Sequence, residues 1–342
     1  MRTPSTVSND ARINHLDALR GLAALGVCLY HCCFAEGIMP HDSYLSNLAQ
    51  FGDKGVQVFF ILSGFVIPYS LCRRSLSDFS PPRFLLRRMT RIHPPYLLAV
   101  VLAMATYGLV LGRPGFFDPK VVASNFLYLP SLLETPWLLN VSWTLGVEAQ
   151  FYLLVSVFHP FLASDSPRKR RTAFTLFLST CLLGEVLPEG INGWYLLPMW
   201  IPFFALGLLL FLYQSGKVSK AEFSMFMAGI LLFLLIEYTK LFTLTAAGTA
   251  VLIALVPGKA KLPGHSLGKI SYSLYLVHLP VMVLLATWLK SLEWFTAPPD
   301  LFAIILLLAA ILASLPFYLL VEKPSLNWSR KLGSGSKTSE RQ

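Results

Sequence analysis

The sequence predicts an all-α, polytopic membrane protein with about ten transmembrane helices and both termini in the cytoplasm. Three observations carry that expectation. Of the 342 residues, 55% are hydrophobic and only 13% are charged, whereas a soluble globule carries about 25% charged residues. Apolar windows of roughly the 17 to 25 residues that a bilayer core requires recur along the whole chain. The basic residues also fall almost entirely between alternate windows. The net charge of +10 would suggest nucleic acid in a soluble chain, but here it reflects topology, and no nucleic-acid partner is expected.

The windows run approximately over residues 15 to 34, 55 to 72, 94 to 112, 143 to 163, 172 to 188, 195 to 213, 222 to 238, 241 to 256, 270 to 290 and 301 to 322. The fifth and eighth are short, and the eighth contains Gly248 and several threonines. With a cytoplasmic N-terminus, the inner segments collect 23 of the 28 lysines and arginines, including Arg73, Arg74, Arg83, Arg87, Arg88 and Arg91. The outer segments keep Lys54, Arg113, Lys120, Lys240 and Lys290. Cytoplasmic loops are enriched in these residues, and one error in the helix count would invert every later loop. Trp137, Trp143, Trp194, Trp200, Trp288 and Trp294 fall near the outer face, as an interfacial belt would. The outer loop of about 113 to 141 mixes Phe116, Phe117, Tyr128 and Trp137 with prolines and is placed to cap an outward-facing site.

The opening residues, MRTPSTVSND, lack the apolar core and cleavage site of a secretory signal, so the first window is read as retained. The expected organisation is a cytoplasmic segment over 1–14, one membrane domain over 15–322 and a disordered cytoplasmic tail over 323–342, ending GSGSKTSERQ. A multi-pass protein of the inner (cytoplasmic) membrane, in contact with its lipids, follows. The five cysteines, Cys28, Cys32, Cys33, Cys72 and Cys181, lie in or beside apolar segments and read as small packing residues without a disulfide. No two of His15, His31, His41, His93, His159, His265 and His278 have metal-ligand spacing on one helix, so no metal is expected.

Ionisable side chains inside a bilayer are costly and are usually turned inward and used. In HLDALRGLAALGVCLYHC, Arg20 and His31 are eleven residues apart, hence about 16.5 Å apart along a helix and only about 20° apart around it. They share one face, Arg20 near the cytoplasmic end and His31 near the outer end, with Asp17 placed to pair with Arg20. Arg87, Arg88 and Arg91, in LLRRMTRIHPPY, sit at the cytoplasmic mouth of the third window. Topology alone accounts for basic residues there. Guanidinium forks also bind phosphates bidentately, so with Arg20 they form a site for a polyanionic cofactor. Glu148, in NVSWTLGVEAQFYLL, lies at about the depth of His31, and the two read as a general base and its orienting carboxylate. Ser63, in GVQVFFILSGFVI, lies among small residues that either allow close helix packing or line a cavity. In ISYSLYLVHLPV, His278 stands near mid-membrane with Tyr275 and other polar residues, again as packing or as lining. No phosphate-binding glycine loop or nucleophile elbow is present.

Taken in order, LDALRG with YH at the R-x10-H spacing, GVQVFFILSGF, RRMTRIHP, SWTLGVEAQFY and ISYSLYLVH closely resemble the acyltransferase-3 family of integral membrane O-acyltransferases. The resemblance spans about residues 13 to 322. It implies transfer of an acyl group, usually acetyl from acetyl-CoA, to a hydroxyl of a carbohydrate, glycolipid or secondary-metabolite acceptor. The family's essential arginine and histidine match Arg20 and His31. Its R-x-x-R motif falls on Arg88 and Arg91, and its tryptophan-to-acid motif on Trp143 and Glu148. Ala18 stands where a glycine is common and Thr144 where a serine is common.

The expected chemistry joins both readings. Acetyl-CoA, or another acyl-CoA, places its phosphates on Arg88 and Arg91 with Arg87 and Arg20. Its pantetheine arm reaches outward to His31, the general base, with Glu148 orienting it. Ser63, Trp143, Tyr275 and His278 line the substrate path. The rival from another class is a proton-coupled transporter or flippase using the same polar residues, for which inverted repeats and paired broken helices would speak; neither is visible in the sequence.

Overall fold

The computed structural model describes residues 14–35, 43–72, 76–188, 191–256, 264–292 and 296–334. Among them there is no strand. The long helices are α1 (Asn14–Phe34), α3 (Gly55–Leu71), α4 (Pro81–Ala103), α7 (Trp143–Leu162), α9 (Ile201–Gln214), α10 (Lys220–Glu237), α11 (Lys240–Leu255), α12 (His265–Lys290) and α13 (Pro299–Phe317). Shorter ones are α2 (Tyr44–Ala49), α5 (Pro119–Phe126), α6 (Pro130–Leu133), α8 (Pro167–Ser179) and α14 (Lys323–Ser334). Their starts are written locally. Proline stands in the first turn of α4, α5, α8 and α13, where its missing N–H is not needed. Asp118 and Ser166 cap α5 and α8, and Ser219 with Glu222 forms a capping box on α10.

Among the described residues, seven helices are long and apolar enough to cross a membrane. The other three windows are helical but fall short of that measure. The window 172 to 188 breaks where α8 ends at Ser179 and 3-10 turns follow through Val186. The window 222 to 238 lies on α10, whose 18 residues include Lys220, Glu222 and Glu237. The window 241 to 256 lies on α11, only 16 residues long.

Two crossings fix the bundle, both made by small residues. A Cβ on Gly64 of α3 would run into the Phe204 carbonyl of α9, and a Cβ on Gly207 of α9 into the Ile61 carbonyl of α3. The same holds where α1 meets α12: Gly21 faces the Gly264 carbonyl and Gly268 faces that of Asp17. Backbones approach this closely only at such positions. Around the first crossing Phe151 stacks on Phe204 at 4.1 Å and Phe60 on Phe204 at 4.8 Å, all of them buried. Gly207→Val should therefore lower stability by about 1–3 kcal/mol through overpacking. An unchanged midpoint of thermal unfolding in lipid nanodiscs would contradict this packing.

The structure bears on four other expectations. The tail is not disordered over its first part: Lys323–Ser334 is helical and packs on α4, with Ser325 and Ser329 buried. Residues 335–342, with 1–13, His41, Arg73, Arg74 and Trp294, lie outside the described residues. Trp143, Trp194 and Trp200 do not form an interfacial belt; Trp200 is 1% exposed and meets Trp194 at 4.8 Å and Trp143 at 5.3 Å. Phe60 and Phe203 draw Trp200 into the core, while Trp194 stays 39% exposed. The loop over about 113 to 141 packs on the bundle. Its α5 folds back on α4, where the Tyr96 hydroxyl donates to the Asn125 carbonyl at 2.6 Å and Tyr128 stacks on Tyr96 at 4.5 Å. Cys28, Cys32 and Cys33 are buried, as packing residues are, but Cys72 is exposed; all five cysteines are free.

Candidate functional site

A cavity of about 880 Å³ opens among α1, α3, α4, α7, α12 and α14. Because α4 begins at Pro81, its second and third turns bring Arg87, Arg88 and Arg91 to one wall. Arg20 of α1 completes that wall, 3.8 Å from Asp17. The four arginines singled out in the sequence thus line one chamber. Lys269 of α12 and Arg330 of α14 line it too. Six cationic side chains face three carboxylates there, Asp17, Glu148 and Glu322.

The cations are held in place by the fold. Arg88 Nη2 donates to Ser70 Oγ at 2.7 Å, and its guanidinium lies over the rings of Phe84 and Tyr152 at 5.6 and 5.7 Å. Arg87 Nε donates to the Ser329 carbonyl at 3.2 Å, tying α4 to α14. Glu148 Oε1 accepts from Ser63 Oγ at 3.1 Å and from the Tyr152 hydroxyl at 2.7 Å. Its charge acts on Arg20 and Arg88. Glu322 accepts from the backbone and the hydroxyl of Ser273, at 3.1 and 2.5 Å.

The chamber is not cationic throughout: Val56, Phe59, Thr144, Leu145 and Tyr275 line it as well, and His31 does not. The Tyr275 hydroxyl bonds with Thr144 Oγ1 at 2.8 Å and donates to the Val141 carbonyl at 3.0 Å. Next to Tyr275, with ring centroids 6.0 Å apart, is His278, and His278 Nε2 is 3.1 Å from His31 Nδ1.

The expected partnership of His31 and Glu148 does not form. His31 bonds to His278, and the carboxylate whose field reaches it is that of Asp53. Glu148 belongs to the arginine wall, because the face of α7 that carries it turns toward Ser63 of α3. His278 and Trp143 are not lining residues: His278 is fully buried against His31, and Trp143 packs in the aromatic cluster. Ser63 and Tyr275 do line the chamber. Sequence reasoning missed Tyr152, Glu322, Lys269, Arg330 and Asp53. Tyr152 was within reach, since it stands four residues after Glu148 on the same helix face. Glu322 was hidden at the end of its window beside Lys323. Among the described residues no three His, Cys, Asp or Glu side chains gather as metal ligands would.

The family described as an acyltransferase domain, Acyl_transf_3, matches residues 13–319. The chain belongs to this acyltransferase-3 family. It is thus an acyltransferase, and its apolar helices make it a multi-pass membrane protein. A protein of Komagataeibacter xylinus named as a membrane-bound transacylase, BcsY, is 26% identical over 94% of this chain and 84% of its own length. The exopolysaccharide production protein ExoZ of Rhizobium meliloti (strain 1021) is 29% identical over 82% of this chain and 91% of its own. The peptidoglycan O-acetyltransferase OatA of Listeria monocytogenes is 26% identical over 42% of this chain and 23% of its own. No solved structure matches.

Proposed function

We propose that this O-acyltransferase binds acyl-CoA, acetyl-CoA first among them, on the arginine wall and passes the acyl group to a hydroxyl of a carbohydrate or glycolipid. The observation that carries the reading is the lining of the chamber. It joins six cations to apolar walls and to Tyr275, which stands beside His278 of the His31–His278 pair. Coenzyme A is a polyphosphate joined to a narrow, largely apolar arm, and the two kinds of lining suit its two parts. Acyl-CoA is cytoplasmic, and the basic residues that flank the helices favour placing both termini and the arginine wall on that side of the inner membrane, in a bundle of about ten spans. The names of ExoZ and OatA, tied to exopolysaccharide and peptidoglycan, support a carbohydrate acceptor.

In this reading His31 takes the proton of the acceptor hydroxyl as its oxygen attacks the thioester carbonyl. The new C–O bond forms, the C–S bond breaks, and the leaving thiolate recovers the proton from the imidazolium to give free CoA. Glu148 has a different part from the one its sequence position suggested. Bonded to Ser63 and Tyr152 and acting on Arg20 and Arg88, it holds the cation array in register. Glu148→Gln should lower acyl transfer about tenfold, as losing bonds to a charged group does. It should leave the His31 environment untouched, which the histidine nitrogen NMR signals would report; a displaced His31 signal would restore the original pairing.

The direct test uses purified protein in lipid nanodiscs, radiolabelled acetyl-CoA and a panel of bacterial exopolysaccharide and peptidoglycan fragments. Label is expected on a sugar hydroxyl, with release of free CoA. Absence of both acetyl-CoA binding and label transfer, in protein that is folded, would overturn the proposal.

A further inference from the structure

The hydrogen bonds around His31 and His278 decide which nitrogen of each ring carries the proton. His278 Nδ1 lies 3.1 Å from the Leu274 carbonyl, and a carbonyl only accepts, so Nδ1 carries the hydrogen. His278 is 0% exposed, and a second proton would place an imidazolium among apolar side chains at a cost of several kcal/mol. Its Nε2 is therefore a lone pair. That lone pair is 3.1 Å from His31 Nδ1, and the bond needs one hydrogen, which only His31 can supply.

We infer that His278 is a positioning residue which locks His31 in its Nδ1–H form and so leaves the Nε2 lone pair free as the base. A free histidine side chain in water favours the opposite form, with the proton on Nε2, in which that nitrogen is no base at all. The logic is that of a carboxylate behind a catalytic histidine, where a wrong tautomer is enough to cost about 10⁴ in rate. Here a neutral histidine serves in place of the carboxylate. That choice suits an apolar interior, because the pair carries no charge until the proton is taken. The sequence of relays is short: the Leu274 carbonyl orients His278, His278 orients His31, and His31 meets the acceptor hydroxyl. The fold supplies the geometry through the α1–α12 crossing at Gly21 and Gly268, which brings the two histidines together.

The catalytic half of the inference rests on the proposed role of His31; the tautomer half does not. Protein labelled with nitrogen-15 at histidine, reconstituted in nanodiscs, gives the test, with the His31 signals assigned by their loss in His31→Ala. A protonated, pyrrole-type Nδ1 and an unprotonated, pyridine-type Nε2 are expected for His31. A protonated Nε2 in the native protein overturns the inference without any variant. His278→Leu should release the lock, shifting His31 toward Nε2–H and lowering kcat about 30- to 100-fold with the KM for acetyl-CoA unchanged. His278→Gln, whose side-chain oxygen can accept the same hydrogen, should keep the tautomer and recover kcat to within about tenfold of native. If His278→Leu leaves the tautomer as it was, the positioning role is wrong. If the tautomer is locked but His31→Ala still transfers acyl groups normally, the failure lies in the proposed base.

Discussion

His31→Ala should reduce acyl transfer by at least about 1000-fold while acetyl-CoA still binds. General-base catalysis contributes typically 10²–10⁴ in rate, and His31 is the half-buried member of a pair whose other member, His278, has no exposure at all. The chamber's carboxylates and Tyr275 are already engaged: Tyr275 bonds with Thr144 and Val141, Glu148 with Ser63 and Tyr152, Glu322 with Ser273, and Asp17 lies 3.8 Å from Arg20. The measurement is single-turnover transfer from radiolabelled acetyl-CoA in nanodiscs, paired with equilibrium binding of the donor. Loss of turnover with unchanged binding places His31 in the chemistry. Equal loss of both would make it a structural residue, since His31 bonds to His278 and is not among the residues that line the arginine chamber.

The placement of the arginines was legible in the sequence because it depends on one coordinate only, depth. Arg20, Arg87, Arg88 and Arg91 each sit in the part of a helix that the charge pattern of the sequence assigns to the same face, and long flexible side chains at one level converge readily. The pairing of His31 with Glu148 failed because it needs a second coordinate, which helices are neighbours. That is settled by Gly21 and Gly268, whose missing side chains let α12 lie directly against α1 and bring His278 to His31. Each glycine was visible, but nothing in either segment alone says that they face one another. The same limit hid α14. Its polar composition reads as a tail, yet Ser325 and Ser329, four residues apart, give it a small-residue face that packs on α4. Arg330 is thereby delivered to the chamber.

Replacing Arg88 and Arg91 together by alanine should raise the KM for acetyl-CoA by about 10²–10⁴ and leave kcat at saturation within severalfold of native. Each guanidinium is expected to contribute about 1.5–3 kcal/mol as a charged hydrogen-bond partner, and two such losses combine to that range. The partition between KM and kcat follows from distance. In the proposed pose the arginines hold the end of the donor remote from the thioester, so their contacts are the same in the ground and transition states. Lysine replacements at both positions should restore only part of the affinity, because an ammonium keeps the charge but loses the planar fork. For Arg88 it also weakens the fit over Phe84 and Tyr152 and the bond to Ser70. Raised salt should weaken the native protein's affinity for acetyl-CoA more than that of the double alanine variant, since fewer charges remain to be screened. An unchanged KM in the double variant would mean that the donor lies elsewhere, and the six-cation wall would then need another anion to explain it.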